Sequence, residues 1–198
     1  MRYSKQKGFT LLEVVVVLGI FGMLSGIVIF NYGKFRSDTT LVNMTYEVAL
    51  SIREAQIYGV SARNLAGGTP DFNKAYGIHF EGTSSNQYFL FSDDDGDDEF
   101  NGSSCLNPGG DVCVTPYTLQ NNIMISDVAT LNPSGINCAN DVTDLDILFK
   151  RPNPEPIIND RTNIPRAQVT LTAPDGAERY VIIYNTGQVT VENKSICS

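Results

Sequence analysis

The order of apolar and polar positions divides the chain into three unequal parts. Residues 9–30 are almost uninterrupted apolar sequence, 22 residues with one carboxylate, Glu13, near the start. Helical rise makes that run roughly 33 Å long, enough to cross a hydrocarbon core. A second pattern follows, in which Leu41, Met44, Val48, Ile52 and Ala55 recur at spacings of three and four. Glu47, Arg53 and Glu54 stand off that stripe, which is the signature of an amphipathic helix. No proline interrupts residues 9–63, so the spacing predicts one helix of about 55 residues, bent or straight, ended by Gly67-Gly68-Thr69-Pro70.

Beyond Pro70 the period falls to two. Tyr76, Ile78 and Phe80 alternate with Gly77 and His79, EGTSSN supplies a turn, and Tyr88–Phe91 predicts the second strand of a hairpin. Further strands are expected over 121–129, 144–150, 167–173, 180–185 and 187–192, with turns at Pro174-Asp175-Gly176 and Asn185-Thr186-Gly187. Asn107–Gly110 and Arg151–Pro156 read as irregular loops. A long helix followed by a run of strands gives an α+β fold with a mainly antiparallel β head.

The flanks of the apolar run orient it. Arg2, Lys5 and Lys7 precede it, so positive-inside bias leaves residues 1–8 in the cytoplasm and the head outside. The run is too long for a secretory h-region, and SGIVIFNYG offers no small-residue cleavage site, so it is expected to stay on the mature protein. Lys7-Gly8 followed by Phe9-Thr10-Leu11-Leu12-Glu13-Val14 and a long apolar helix resembles a type IV prepilin signal. The resemblance implies cleavage between Gly8 and Phe9 by a prepilin peptidase, and methylation of the new N-terminus. It also implies a role for Glu13. The Phe9 amine and the Glu13 carboxylate lie four residues apart on one helix face and can neutralise each other. In relatives the same Glu is thought to reach the amine of a neighbouring subunit and set axial register, a use to which buried charge pairs are suited. Gly19, Gly22 and Gly26 share a face, two of them as G-x-x-x-G, and small residues let helices approach closely. Many relatives carry a proline where this chain has Phe30.

The implied organisation is a leader over 1–8, a transmembrane or filament-core helix over 9–30, its continuation over 31–63 packed on the head, and a β-rich head over 64–198. YEVALSIREAQIYGVSARN, the Tyr76-Gly77-Ile78 strand and VIIYNTGQVTV resemble GspH/FimT-type pseudopilins of type II secretion systems or type IV pili. The partners so implied are other pilin or pseudopilin subunits, the prepilin peptidase, the inner-membrane assembly platform, and lipid before assembly. The rival expectation is a membrane-anchored extracytoplasmic binding protein, with calcium as its one candidate cofactor.

Composition changes the picture in three places. Formal charge is −8, and losing Arg2, Lys5 and Lys7 with the leader takes it to −11, so nucleic acid is not an expected partner. Cys105, Cys113, Cys138 and Cys197 all fall in the part expected outside the cytoplasm, where disulfides form, with connectivity open. Five Asp and one Glu fall within Asp93–Glu99 and repel one another. Asp93, Asp95, Asp97 and Glu99 alternate, a supply of hard oxygens suited to Ca²⁺, although Gly96 is out of place for an EF-hand. The other reading of that stretch is a solvated acidic hairpin. His79 is the single histidine and reads as an isolated strand residue, with no nucleophile motif or phosphate-cradling loop, so no enzyme is expected.

Overall fold

The computed structural model describes residues 8–61, 74–82, 84–131, 138–139, 142–153 and 155–197. The Gly67–Pro70 cluster lies outside them. The chain divides into two compact units, residues 1–37 and 38–198. Helix α1 (Leu11–Val60) contributes to both. It ends three residues before the expected boundary, and it is helical throughout, including at Phe30.

In the first unit, α1 from Leu11 to Phe30 is long and apolar enough to cross a membrane, and this unit buries none of it. Leu11, Leu12 and Phe30 are among its most exposed side chains.

The second unit is a head of two five-stranded antiparallel sheets under the remainder of α1. One sheet holds β1 (Ala75–Glu81), β2 (Gln87–Asp93), β3 (Val112–Thr118), β6 (Asp144–Phe149) and β7 (Pro156–Ile158), in the order β3-β2-β1-β6-β7. The other holds β4 (Met124–Leu131), β5 (Cys138–Ala139), β8 (Arg166–Thr172), β9 (Glu178–Tyr184) and β10 (Val189–Glu192), in the order β10-β9-β8-β4-β5. The expected α+β, pilin-like architecture is present, and the hairpin pairs as read, with Ile78 opposite Leu90.

Three strands were not legible. β3 carries Pro116, which cannot donate to a ladder and belongs on an edge, which is where it lies. β5 is two residues long, and β7 begins at Pro156 inside the segment read as a loop. The strand expected from 121 begins at Met124, because Asn121 and Asn122 both take positive φ, 56° and 57°. That turn carries the chain from one sheet to the other, and Asn tolerates the left-handed region through local hydrogen bonding. The two glycine turns form as expected, with Gly176 at φ 82° and Gly187 at φ 79°.

The helix stripe makes the main core. Leu41, Val48, Ile52 and Ala55 are fully buried, packed with Ile78, Phe80 and Leu90 of one sheet and Val169, Val181 and Ile183 of the other. β1 has no exposed face, however. Ile78 and Phe80 enter the main core, while Ala75 joins Phe89, Phe91, Phe100 and Leu148 in a second core on the back of the sheet. The half-buried Cys105–Cys113 disulfide packs against that second core, and a second disulfide joins Cys138 to Cys197. Gly59 meets β6 so closely that a methyl group there would overlap the Phe149 carbonyl, so only glycine fits.

Truncating the buried stripe should be costly and truncating the opposite face should not. Ile52→Ala is expected to lower the stability of residues 38–198 by about 2–5 kcal/mol. Leu50→Ala, at a side chain 64% exposed, should stay within about 0.5 kcal/mol. Urea denaturation of the two variants measures the contrast.

Candidate functional site: the N-terminal helix, its head clamp and the acidic turn

Thr10 precedes α1 and acts as its N-cap: its Oγ1 accepts the Glu13 N–H at 3.3 Å, and its carbonyl accepts the Val14 N–H at 3.3 Å. Thr10-Leu11-Leu12-Glu13 is therefore a T-x-x-E capping sequence. The same spacing gives Glu13 a second task, because a carboxylate in the first turn interacts favourably with the positive end of the helix dipole. The T-x-x-E spacing of that cap is itself a sequence signal, distinct from the charge pairing of Glu13. Phe9, at 84% exposed, shares a shallow apolar groove with Glu13, Val14, Val17 and Leu18. Among the described residues, side chains added at Gly19, Gly22 or Gly26 would meet nothing within 4 Å, so packing there does not require glycine at any of them.

Where α1 lies on the head, two adjacent residues hold it to both sheets. Arg53 donates to the Val189 carbonyl of β10 at 3.4 Å. Glu54 turns the other way and accepts from Tyr117 of β3 at 2.9 Å and from Tyr58 at 2.6 Å. Ile52 and Ala55, on either side of the pair, are fully buried. The opposite face of the helix carries a second apolar stripe. Tyr46, Leu50 and Ile57 are 55%, 64% and 63% exposed and, four and seven residues apart, fall on one face of the helix.

The acidic turn is more highly built than a run of repelling carboxylates suggests. Asp93, at 3% exposed, accepts the N–H groups of Gly96 at 2.6 Å and Asp98 at 3.3 Å. Asp111, which composition did not single out, accepts from the N–H of Asp94 at 3.2 Å and of Asn101 at 3.1 Å. Asn101 also bridges Asp95 and Asp97 through its amide, at 3.2 and 2.6 Å. Lys74 pairs with Asp94 at 2.7 Å and Lys150 with Asp98 at 3.2 Å. Burial, reinforced by Asp95 and Asp93, pushes the Asp111 carboxyl up to about 6 despite the two amide donors. A raised carboxyl favours the folded state most below its unfolded value, so this contribution declines as pH rises from about 4 to 6.

Of the four alternating acids, the structure gathers three. Asp93, Asp95 and Asp97 bring ligand oxygens within 4.8 Å of one another, a spacing that could hold a metal ion. Glu99 stands apart from them. Its carboxyl is raised by partial burial and by the fields of Asp146, Asp160, Asp97 and Asp144.

His79 is not isolated, which corrects the sequence reading. It lies opposite Asp146 in the β1–β6 pairing, with Nδ1 2.7 Å from Oδ1, and both residues are buried. The other oxygen of Asp146 accepts the Phe100 N–H at 3.1 Å. The imidazole stacks on Phe89, 5.7 Å between ring centres at an interplanar angle of 3°. The pair fastens the end of the acidic turn to the back of the sheet. Its partner is 67 residues away, beyond the reach of any local pattern.

A long apolar helix opening on Gly8-Phe9-Thr10 and a two-sheet head give the chain an α+β, pilin-like architecture. Residues 3–29 match the family model described as the prokaryotic N-terminal methylation motif, which supports a type IV prepilin-like family. The motif indicates a pilin- or pseudopilin-like substrate of prepilin peptidase, and together with the apolar helix it is consistent with membrane anchoring. No curated protein and no solved structure matches the chain.

The helix clamp gives an alkaline test. Burial, with the nearby Glu47 and Glu54 charges adding and a Ser51 hydrogen bond opposing, pushes the Tyr88 phenol up to about 12. Tyr117 is raised further, first by burial and then by its bond to Glu54. A folded value above the ordinary 10 stabilises the head fully below pH 10 and is lost as pH rises through about 12. Ultraviolet titration at pH 11 should leave both phenols protonated in the folded head, and Tyr117→Phe should remove one late-titrating phenol.

Proposed function

We propose that the chain is a GspH/FimT-type minor pseudopilin or pilin, assembled through its N-terminal helix into a type II secretion pseudopilus or a type IV pilus. Peptidase cleavage after Gly8 frees the Phe9 amine, and Glu13 meets the amine of a neighbouring subunit. The observation that carries the reading is the methylation motif on a helix whose small-residue face is uncovered among the described residues. Within the head unit, Tyr46, Leu50 and Ile57 offer a separate exposed stretch of helix surface. In this reading the head has no enzymatic task, and its acidity makes nucleic acid a poor partner.

Intact mass of the mature protein tests processing. Loss of residues 1–8 with one added methyl group is expected, Gly8→Ala should slow or stop the loss, and a mature protein beginning at Met1 would sink the proposal. Assembly has a separate test. Glu13→Ala should leave membrane insertion intact, because it removes a costly charge, and should reduce subunit crosslinking in the filament, because the partner amine loses its mate. Unchanged crosslinking kinetics would leave Glu13 with its capping role alone.

The second reading, a membrane-anchored binding protein that depends on calcium, draws on the approach of Asp93, Asp95 and Asp97. Against it, the turn already satisfies its carboxylates with amide donors and lysines. We expect CaCl₂, MgCl₂ and NaCl at matched ionic strength to raise the head's melting temperature equally, by screening. A rise specific to millimolar Ca²⁺ and abolished by Asp95→Ala with Asp97→Ala would favour the second reading.

A further inference from the structure

One cavity of the head is used neither by the helix nor by the three gathered aspartates. It measures about 370 Å³ and opens between Glu99, the segment leading into β6 and the turn after β7. Its volume falls in the range of about 300–1,000 Å³ typical of ligand sites. Ile158 and Ile164, 1% and 3% exposed, give it an apolar floor. Glu99 and Asp144 put two exposed carboxylates on the same wall system. Asp144 already accepts the Thr143 hydroxyl at 2.9 Å, which leaves lone pairs to spare.

The lining also contains Thr130, 5% exposed at the end of β4. Its hydroxyl has no hydrogen-bond partner among the described residues. Buried hydroxyls are seldom left unpaired, because the lost hydration is not recovered. A group entering the cavity can supply the missing partner. Arg161 is the one cation in the lining, and it forms no salt bridge among the described residues.

We propose that this cavity receives a lysine side chain presented by a partner polypeptide. The methylenes lie on Ile158 and Ile164, and the ammonium donates to Glu99, Asp144 and Thr130, three acceptors for its three N–H groups. Arg161 decides between sources of the amine. It repels the second charge of a free diamine, and it can donate to the backbone carbonyl that accompanies a lysine in a peptide. The inference does not rest on the filament reading, because it concerns the head whatever the helix assembles into.

The test is a nuclear magnetic resonance titration of the full chain in detergent micelles, with N-acetyl-lysine N-methylamide as the probe. Saturable shifts at Ile158, Ile164 and Thr130 are expected, with a Kd on the order of 1 mM for a ligand of this size. Glu99→Gln should weaken binding about fivefold or more, at a side chain too exposed for the change to unfold the head. Thr130→Val keeps the shape, removes the hydroxyl, and should weaken binding with little change in melting temperature. Equal binding of the norleucine analogue, which lacks the ammonium, would overturn the proposal. So would cadaverine binding as tightly as the blocked lysine, the arginine analogue binding more tightly, or both variants binding like the unaltered protein.

Discussion

The head depends on one packing event, the seating of the α1 stripe across two sheets at once. Leu41, Val48, Ile52 and Ala55 lie in one core with residues of both sheets. Neither sheet could bury its inner face alone, because an antiparallel sheet with one apolar face needs a second layer. Each fully buried Leu or Ile contributes about 1.5–3 kcal/mol of transfer free energy. The hydrogen bonds of Arg53 and Glu54 add direction rather than bulk, fixing the rotation of the helix by engaging one sheet each.

That arrangement separates the functional surfaces. Because the stripe at 41, 48, 52 and 55 is spent on the head, the face at 46, 50 and 57 remains outward on the same helix. An amphipathic helix that also carries three exposed apolar side chains serves its own fold with one face and offers apolar surface on the other. The glycines of the apolar half obey the same logic. Glycine lowers helix stability by up to about 1 kcal/mol relative to alanine. Three share one face, and among the described residues nothing lies within 4 Å of a side chain added at any of them, the setting in which small residues let another helix approach closely.

The back of the β1 sheet shows a different economy. A sheet edge of a small head would ordinarily leave that face wet, yet Phe89, Phe91 and Phe100 are buried there beneath the disulfide-closed loop. The acidic turn is attached to that roof through Asp111 and Asn101, and to the sheet through Phe100 and Asp146. Its negative charge is therefore held in place by amide donors, while burial and the mutual repulsion still raise the Asp111 and Glu99 carboxyls. The attachment also positions Glu99 away from the three aspartates and toward the cavity floored by Ile158 and Ile164.

By itself the sequence determined what local spacing can determine. The 3.6-residue period of the stripe, the length of the apolar run, the glycine turns at 176 and 187, and the Gly8-Phe9-Glu13 signal are each set by residues within a few positions of one another. Tertiary structure decided what depends on distant partners. β3, β5 and β7 are strands only because neighbouring strands supply their hydrogen bonds, against a proline, a two-residue length and a proline again. His79 acquires Asp146 across 67 residues, and Cys138 reaches Cys197 across 59. Alternation along one strand cannot report whether its second face is covered, since the cover comes from elsewhere in the chain. In the same way the alternating acids offered either four candidate ligands or a solvated hairpin, while the folded chain brings Asp93, Asp95 and Asp97 together and places Glu99 beside a separate cavity.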